Sequence, residues 1–471
     1  MNQTARFITI LLVMQQVFVF AQTKTQVLPY QTYLKMVLDN HPTIKQANGF
    51  STLGKMEIRL ARGMFDPKFE MDFTQKVYGG KQYYGYLDNG LKVPLWFGAD
   101  VKAGYENNTG SQINPSDYTP KGGLEYLGLQ VPIGQGMIID DRRAAVKQAF
   151  ATQQMNEAEK IKLINKLLFY ASKEYWNWFL MYNKYNLALQ AYSNANIRFL
   201  GISQRSKQGD LASIDSVEAF MTMQEREIIL QNAKLELNNV RLVMSNYLWT
   251  ADMNPLEADT TLVPDNVAPV SVFSQEELNK LLSNLENTSP ELLKMNAKID
   301  FLKIDKRNSA DKLKPNIDFT AKYLTSPKND LLNDLNWNYW QNHYKVMLTY
   351  SQPLFLRKER AKFQMSKVKL QQTEFEKLVS QREIHNETKA QYNELKNLEN
   401  VFKQQQNILQ NYKILLDGEK QRFENGESSV FMINSREMKL LEGQNKYFEM
   451  RAKLEKAQLE LLYITGVLAT Q

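Results

Sequence analysis

Cysteine is absent from the 471 residues, and only three histidines are present. His41, His343 and His385 lie far apart in the chain, with no metal-ligand spacing among them. Without a thiol there is no disulfide, thiolate metal site, cysteine nucleophile or lipid-modified N-terminal cysteine. No glycine-rich loop has the spacing that cradles a phosphate. Catalytic residues, cofactor and metal are therefore all expected to be none, and no enzyme is expected. The groups left with chemistry to do are charges around two turn glycines. Gln208-Gly209-Asp210-Leu211 is preceded by Arg205 and followed by Asp215 and Glu218. Asn425-Gly426-Glu427-Ser428 is preceded by Arg422, and Met432 and Ser435 stand where the first turn has its two carboxylates. Such groups attract, repel and select ions; they do not break bonds.

Each turn must be held by what flanks it, and the flanks are long. Asp140 to Ser206 holds no proline and one glycine, Gly201; Lys358 to Phe423 holds only Gly418. As helices these are rods of ~100 Å at 1.5 Å per residue. Asp140 and Asp141 suit the N-terminal end of the first rod. The stripe Leu163, Leu167, Tyr170, Trp176 and Leu180 reads as packing between helices. Shorter helical stretches return from each turn, 213–249 and 430–466.

Formal charge is +7, from 58 Lys+Arg against 51 Asp+Glu, with no run of five basic residues. That spread gives no nucleic-acid footprint. At the start, Arg6, the apolar run Phe7 to Phe20 and Val19-Phe20-Ala21 read as a secretory signal over 1–21. The run is shorter than the roughly 20 apolar residues of a spanning helix.

After Tyr30 to Asn40 and a helix over 42–62, the hydrophobic period changes from 3.6 to 2 beyond Pro67. Phe69, Met71, Phe73 and Val77 alternate with Lys68, Glu70, Asp72, Thr74 and Lys76. Further strand-like pieces run Tyr83–Leu87, Leu91–Phe97, Ala99–Glu106 and Gly122–Val131. Asn89-Gly90 is expected as a hairpin turn, with Phe97-Gly98 as another. The programme then repeats. Pro290 follows Pro42 by 248 residues, and Pro315 follows Pro67 by the same offset. Ile317 and Phe319 repeat the alternation. Arg360, Tyr392 and Gly426 follow Arg143, Tyr175 and Gly209 by 217. An internal duplication is the simplest source, and the 31-residue difference implies extra hairpin or loops in the first copy. The expected layout is 22–250 for the first repeat, with strand region 67–132, long helix 140–206 and helix 213–249. A connector follows over 251–272. The second repeat spans 273–471, with strand region 315–353, long helix 358–423 and helix 430–466.

Strands with one apolar and one charged face, in an exported and tyrosine-rich chain, suit a barrel with lipid outside and water inside. Open edges in lipid would leave backbone groups unsatisfied, so several copies must pool their strands. Phe69, Met71, Phe73, Val77, Ile317 and Phe319 are the expected lipid-facing residues. Trp337, Tyr339 and Trp340 are expected at the lipid interface.

The ordered set Asn40-His41-Pro42, Arg59-Leu60-Ala61-Arg62, Pro67, the alternating strand, and Gln204-Arg205-…-Gly209-…-Asp215-…-Ala219 resembles the TolC family of outer-membrane efflux proteins. The resemblance covers both repeats. It implies an α+β membrane protein: a homotrimer in the outer membrane of a Gram-negative bacterium, with about four strands per protomer in one β-barrel. A periplasmic α-helical barrel continues the tunnel to an adaptor (membrane fusion) protein and an inner-membrane pump. It implies that Gln208, Gly209, Asp210, Leu211, Asn425, Gly426, Glu427 and Ser428 contact the adaptor. It places Asp215 at the gate with Glu218, with Arg205 and Arg422 as opposing charge. Met432 and Ser435 depart from the carboxylates that well-known members carry, leaving Asp215 and Glu218 to supply a negative ring. Two other readings stand beside the efflux duct: a type I secretion partner, and a periplasmic coiled-coil scaffold without a channel. The scattered methionines do not argue for a copper route.

Overall fold

The computed structural model describes residues 26–265, 273–326 and 341–470. The expected signal segment 1–21, residues 266–272 of the connector, and Trp337, Tyr339 and Trp340 lie outside the described residues.

Strand β1 (Gln26–Leu28) leads into α1 (Tyr30–Asn40) and α2 (Pro42–Arg62). Between the two helices His41 is extended, and its ring nitrogen accepts from the Thr43 N–H at 3.1 Å. Pro42 takes the first helical position, where a missing N–H costs nothing. Four strands follow: β2 (Lys68–Tyr78), β3 (Lys81–Pro94), β4 (Asp100–Thr109) and β5 (Leu124–Pro132). Then come α3 (Asp141–Lys207) and α4 (Ser213–Ser245). Beyond them lie β6 (Leu262–Pro264), α5 (Gln275–Thr288), α6 (Pro290–Asp311), β7 (Asn316–Thr325), β8 (Tyr344–Ser351), α7 (Arg357–Glu424) and α8 (Val430–Ile464).

The two long helices have 67 and 68 residues, each ~100 Å from end to end. Asp140 caps α3 by accepting from the Arg143 N–H at 2.8 Å. Shorter helices lie along the rods: α2 and α4 on α3, α6 and α8 on α7. Both α6 and α8 also touch α3, which joins the two hairpins into one bundle. Among the described residues no helix is long and apolar enough to cross a membrane.

The largest core sits part-way along the rods, where α1, α3, α4 and α8 meet. Trp178, Phe179, Tyr175, Tyr33, Val37 and Met244 are fully buried there. Tyr33 donates to the Ala171 carbonyl at 3.2 Å, and Tyr175 donates to the Leu28 carbonyl at 2.8 Å. Tyr175 thereby fixes β1, which pairs in parallel with β6. The stretch after α4 reads as irregular from its prolines, yet it contributes this strand. Its extended Leu262–Pro264 pairs with Gln26–Leu28.

The other six strands form one antiparallel sheet in the order β2-β3-β4-β5-β7-β8. Four strands per chain was the expectation; the described residues supply six. The first copy contributes two hairpins where the second contributes one, which accounts for its extra length. The hairpin turn also moves. Asn89-Gly90 lies inside β3, and the chain reverses at Gly79-Gly80, with φ of +60° and +73°. Two successive residues with positive φ match the right-handed twist of the strands, and glycine meets that demand without strain. The second expected turn, at Phe97-Gly98, is found, with Gly98 at φ +102°.

Candidate functional site

The chain has two ends with different chemistry. At the sheet end, Arg142 at the start of α3 reaches back to Asp100 at 2.7 Å and to the Gly98 carbonyl at 3.3 Å. Arg143 donates to the Phe97 carbonyl at 3.1 Å. These contacts seat the rod on the turn between β3 and β4.

Register and alternation divide the sheet into two faces. Phe69 opposes Leu91, Leu91 opposes Ala103, and Val131, Phe319 and Leu348 are opposed in turn. Residues directly opposite in an antiparallel pair share a face. Phe69, Met71, Phe73 and Val77 are each more than half exposed, and Phe319 is exposed as well. Ile317 opposes Tyr350 on this same apolar side. The other face carries Glu70, Asp72, Asp88, Lys92, Lys102 and Lys322 around a cleft beside Tyr126. Tyr126 donates to Asp88 at 2.8 Å, and the Lys322 ammonium lies 3.9 Å from the Tyr126 ring centroid. Among the described residues neither outer strand, β2 or β8, has a second neighbour in the sheet, and every residue of both is exposed.

At the far end of the rods the two turns close identically. The Asp210 N–H donates to the Arg205 carbonyl at 3.0 Å, and the Glu427 N–H to the Arg422 carbonyl at 2.8 Å. Gly209 and Gly426 have φ of +86° and +80°. Each is a Schellman closure, in which glycine supplies the left-handed residue after the helix. Gln208, Gly209, Asp210, Asn425, Gly426 and Glu427 are exposed at the tips; Leu211 and Ser428 are half-buried. Arg205, Leu211, Phe423, Val430 and Ile433 line an apolar cleft of about 240 Å³ between the two turns.

Within one chain the predicted gate residues are spread along this end. Asp215 sits in the first turn of α4, where a negative charge suits the N-terminus. Among the described residues neither Asp215 nor Glu218 forms an ion pair. Arg422 approaches Glu427 of its own turn at 4.0 Å instead. Met432 is in the first turn of α8, its N–H directed at the Ser429 hydroxyl that caps the helix. Ser435 is exposed one turn on.

The polar groups that tie this end together were not visible in the sequence. Arg198 on α3 pairs with Glu437 and Asn434 on α8. Glu419 on α7 accepts from the Ser428 hydroxyl at 2.6 Å and from Arg436 at 3.4 Å. The Ser428 hydrogen bond, helped by Arg436, holds the Glu419 carboxyl below its ordinary range. Arg226 on α4, buried to 7% exposure, contacts the Met438 sulfur. No local pattern marks these partners, because each pair comes from segments brought side by side only by the fold.

A bundle of two ~100 Å hairpins capped by a two-faced antiparallel sheet is the fold of outer-membrane channels. The chain superposes on the outer membrane channel CmeC of Campylobacter jejuni with a TM-score of 0.61 at 11% identity, over 93% of this chain and 85% of that one. The open state of MtrE from Neisseria gonorrhoeae gives 0.64 at 10% identity, over 93% and 88%. VceC from Vibrio cholerae gives 0.59 at 12% identity, over 93% and 96%. These are TolC-family channels, so the resemblance in the residues and the fold agree. No protein-family profile and no curated protein matches the sequence. At such identities the likeness establishes the fold alone.

Proposed function

We propose that the chain is the exit duct of a tripartite efflux or type I secretion system in the outer membrane of a Gram-negative bacterium. In this reading it passively conducts cargo from an inner-membrane pump and a periplasmic adaptor to the outside. The observation that carries this is the sheet: one exposed apolar face, one charged face, and two outer strands that have no second neighbour among the described residues. In lipid such a sheet is stable only when copies close it into a barrel, apolar side outward. The copies are read as three, and with six strands from each the barrel would have eighteen. The rods continue it as a periplasmic tunnel. The tips around Gly209 and Gly426 dock the adaptor through the apolar cleft between them, and Asp215 and Glu218 supply the negative ring of the gate.

The test is partitioning. The duct must fractionate with outer membrane, run as a heat-modifiable oligomer and conduct ions in planar bilayers. A soluble monomer in the periplasm would refute it and fit a scaffold without a channel.

A further inference from the structure

The register brings together residues that no single strand places side by side. Lys68 opposes Lys92, Lys92 opposes Lys102, and Lys102 opposes Gly128. Gly128 opposes Lys322, and Lys322 opposes Lys345. Five lysines thus share one row across all six strands, on the charged face. The one gap is Gly128, where a Cβ would stand 3.0 Å from the Lys322 side chain. Glycine there lets the Lys322 stem cross β5 and set its ammonium over Tyr126.

The row is inclined. Lys68 is the first residue of β2, at the helix end of the sheet. Lys322 lies six residues into β7 from its helix end, and Lys345 is six residues before the helix end of β8. Six residues of strand correspond to ~20 Å. From β2 to β8 the lysines therefore climb most of the height of the wall. A parallel acidic row stands farther along the strands, where Asp72 opposes Asp88 and Asp88 opposes Glu106.

Like charges placed directly opposite destabilise a sheet. Here lysine opposes lysine at three of the five strand junctions. Within the row Lys92 is compensated, by Asp100 at 3.2 Å. Among the described residues Lys68, Lys102 and Lys345 have no carboxylate within ion-pair distance. A scattered surface lysine needs no explanation. Repeated opposition leaves a line of ammonium groups beside the acidic row, of which Lys68, Lys102 and Lys345 are not neutralised by an ion pair among the described residues.

We propose that this row is a binding track for multivalent oxyanions, running up the inner wall of the barrel. Its ligands are molecules carrying several phosphate or carboxylate groups, which meet successive ammonium groups as they pass. The assignment rests on the charged face lining the lumen, as in the duct reading.

The experiment uses the full-length oligomer in planar bilayers, with inorganic tripolyphosphate added on the barrel side. Expected is a block of current in the wild type that chloride of equal ionic strength does not give. With Lys68→Gln, Lys102→Gln and Lys345→Gln together the block should weaken by about tenfold or more. The reversal potential in a salt gradient should move toward cations. The corresponding lysine-to-arginine variant should keep the block. If the triple variant does not assemble, Lys102→Gln alone must still weaken it. Conductance with no block, or a block indifferent to these substitutions, overturns the track while leaving the duct standing. No conductance from the wild type overturns both.

Discussion

Arg198 of α3 and Glu437 of α8, 239 residues apart in sequence, form an ion pair that joins the two hairpins above their tips. Asn434 takes the other arm of the guanidinium, so the planar fork is used on both sides. The pair is partly shielded, with side-chain exposures of 22% and 27%. If the tips form a gate, this link holds it shut from within one chain. Arg198→Gln and Glu437→Gln should each raise bilayer conductance and the frequency of openings. A double-mutant cycle on thermal stability should give a coupling of about 1 kcal/mol. Additive effects would mean that the pair holds nothing together.

The two Schellman closures make a different demand. A Cβ at Gly209 or Gly426 would meet no atom within 4 Å, so the positive φ alone restricts these positions. Gly209→Ala and Gly426→Ala should each cost about 1–2 kcal/mol, seen as a lower melting temperature with assembly intact. Asn at either site should cost less than Ala. Equal tolerance of Ala and Gly would remove the turn geometry as the reason for glycine.

In the sheet, the constraint is space. A Cβ on Gly104 would come within 2.3 Å of the Asn89 carbonyl and 2.6 Å of the Tyr126 hydroxyl. Tyr126 lies across this strand to reach Asp88, and only a bare backbone fits beneath it. Gly104→Val should abolish the heat-modifiable oligomer. Tyr126→Ala should not rescue it, because the Asn89 carbonyl is backbone. Normal assembly of Gly104→Val would show that the Asn89 carbonyl does not approach the strand this closely.

Asp215 and Glu218 offer carboxylates free of any ion pair among the described residues. If they form the negative ring, Asp215→Asn with Glu218→Gln should reduce cation selectivity in bilayer recordings. The change should be larger in low salt, where exposed charges are less screened. Unchanged selectivity would remove these residues from the gate.

Burial pushes the Glu455 carboxyl from its ordinary 4.5 up to about 7, against the opposing pull of Arg451. Among the described residues one carboxyl oxygen has no hydrogen-bond partner, and the residue is 8% exposed. Below pH 4.5 folded and unfolded chains both hold the proton. Between 4.5 and 7 the unfolded chain releases it and the folded chain keeps it, so stability falls as pH rises through that window. The loss is at most about 3 kcal/mol. Glu455→Gln should flatten the dependence of melting temperature between pH 5 and pH 8 (roughly the window above) and raise it at the upper end. A wild-type melting temperature that does not fall over this range would mean the carboxyl finds a partner in the assembly.

The sequence carried its rods and turns openly, because proline and glycine act locally. Pro42 and Gly209 each set a boundary through their own backbone chemistry. The alternation from Phe69 to Val77 likewise showed which side of β2 is apolar. The hairpins were harder: Asn89-Gly90 has turn chemistry but sits mid-strand, because β3 uses Gly90 for close approach beneath the Tyr126 hydroxyl. Gly79-Gly80 had equal turn chemistry, and only the paired register distinguishes the two. Pairs such as Arg198 with Glu437, and the row from Lys68 to Lys345, exist only once distant segments lie side by side. No local period can announce them.

The pairing of β1 with β6 also orders events in time. Gln26 has no partner until Leu262 is made, and β1 lies in place only when Tyr175 can accept its position in the core. An emerging chain therefore cannot complete this pairing until more than half of its length has been made. Because the pairing spans so long a stretch of chain, it should be among the last contacts to form. Until it does, the Tyr175 hydrogen bond to the Leu28 carbonyl is what holds β1 to the long helix.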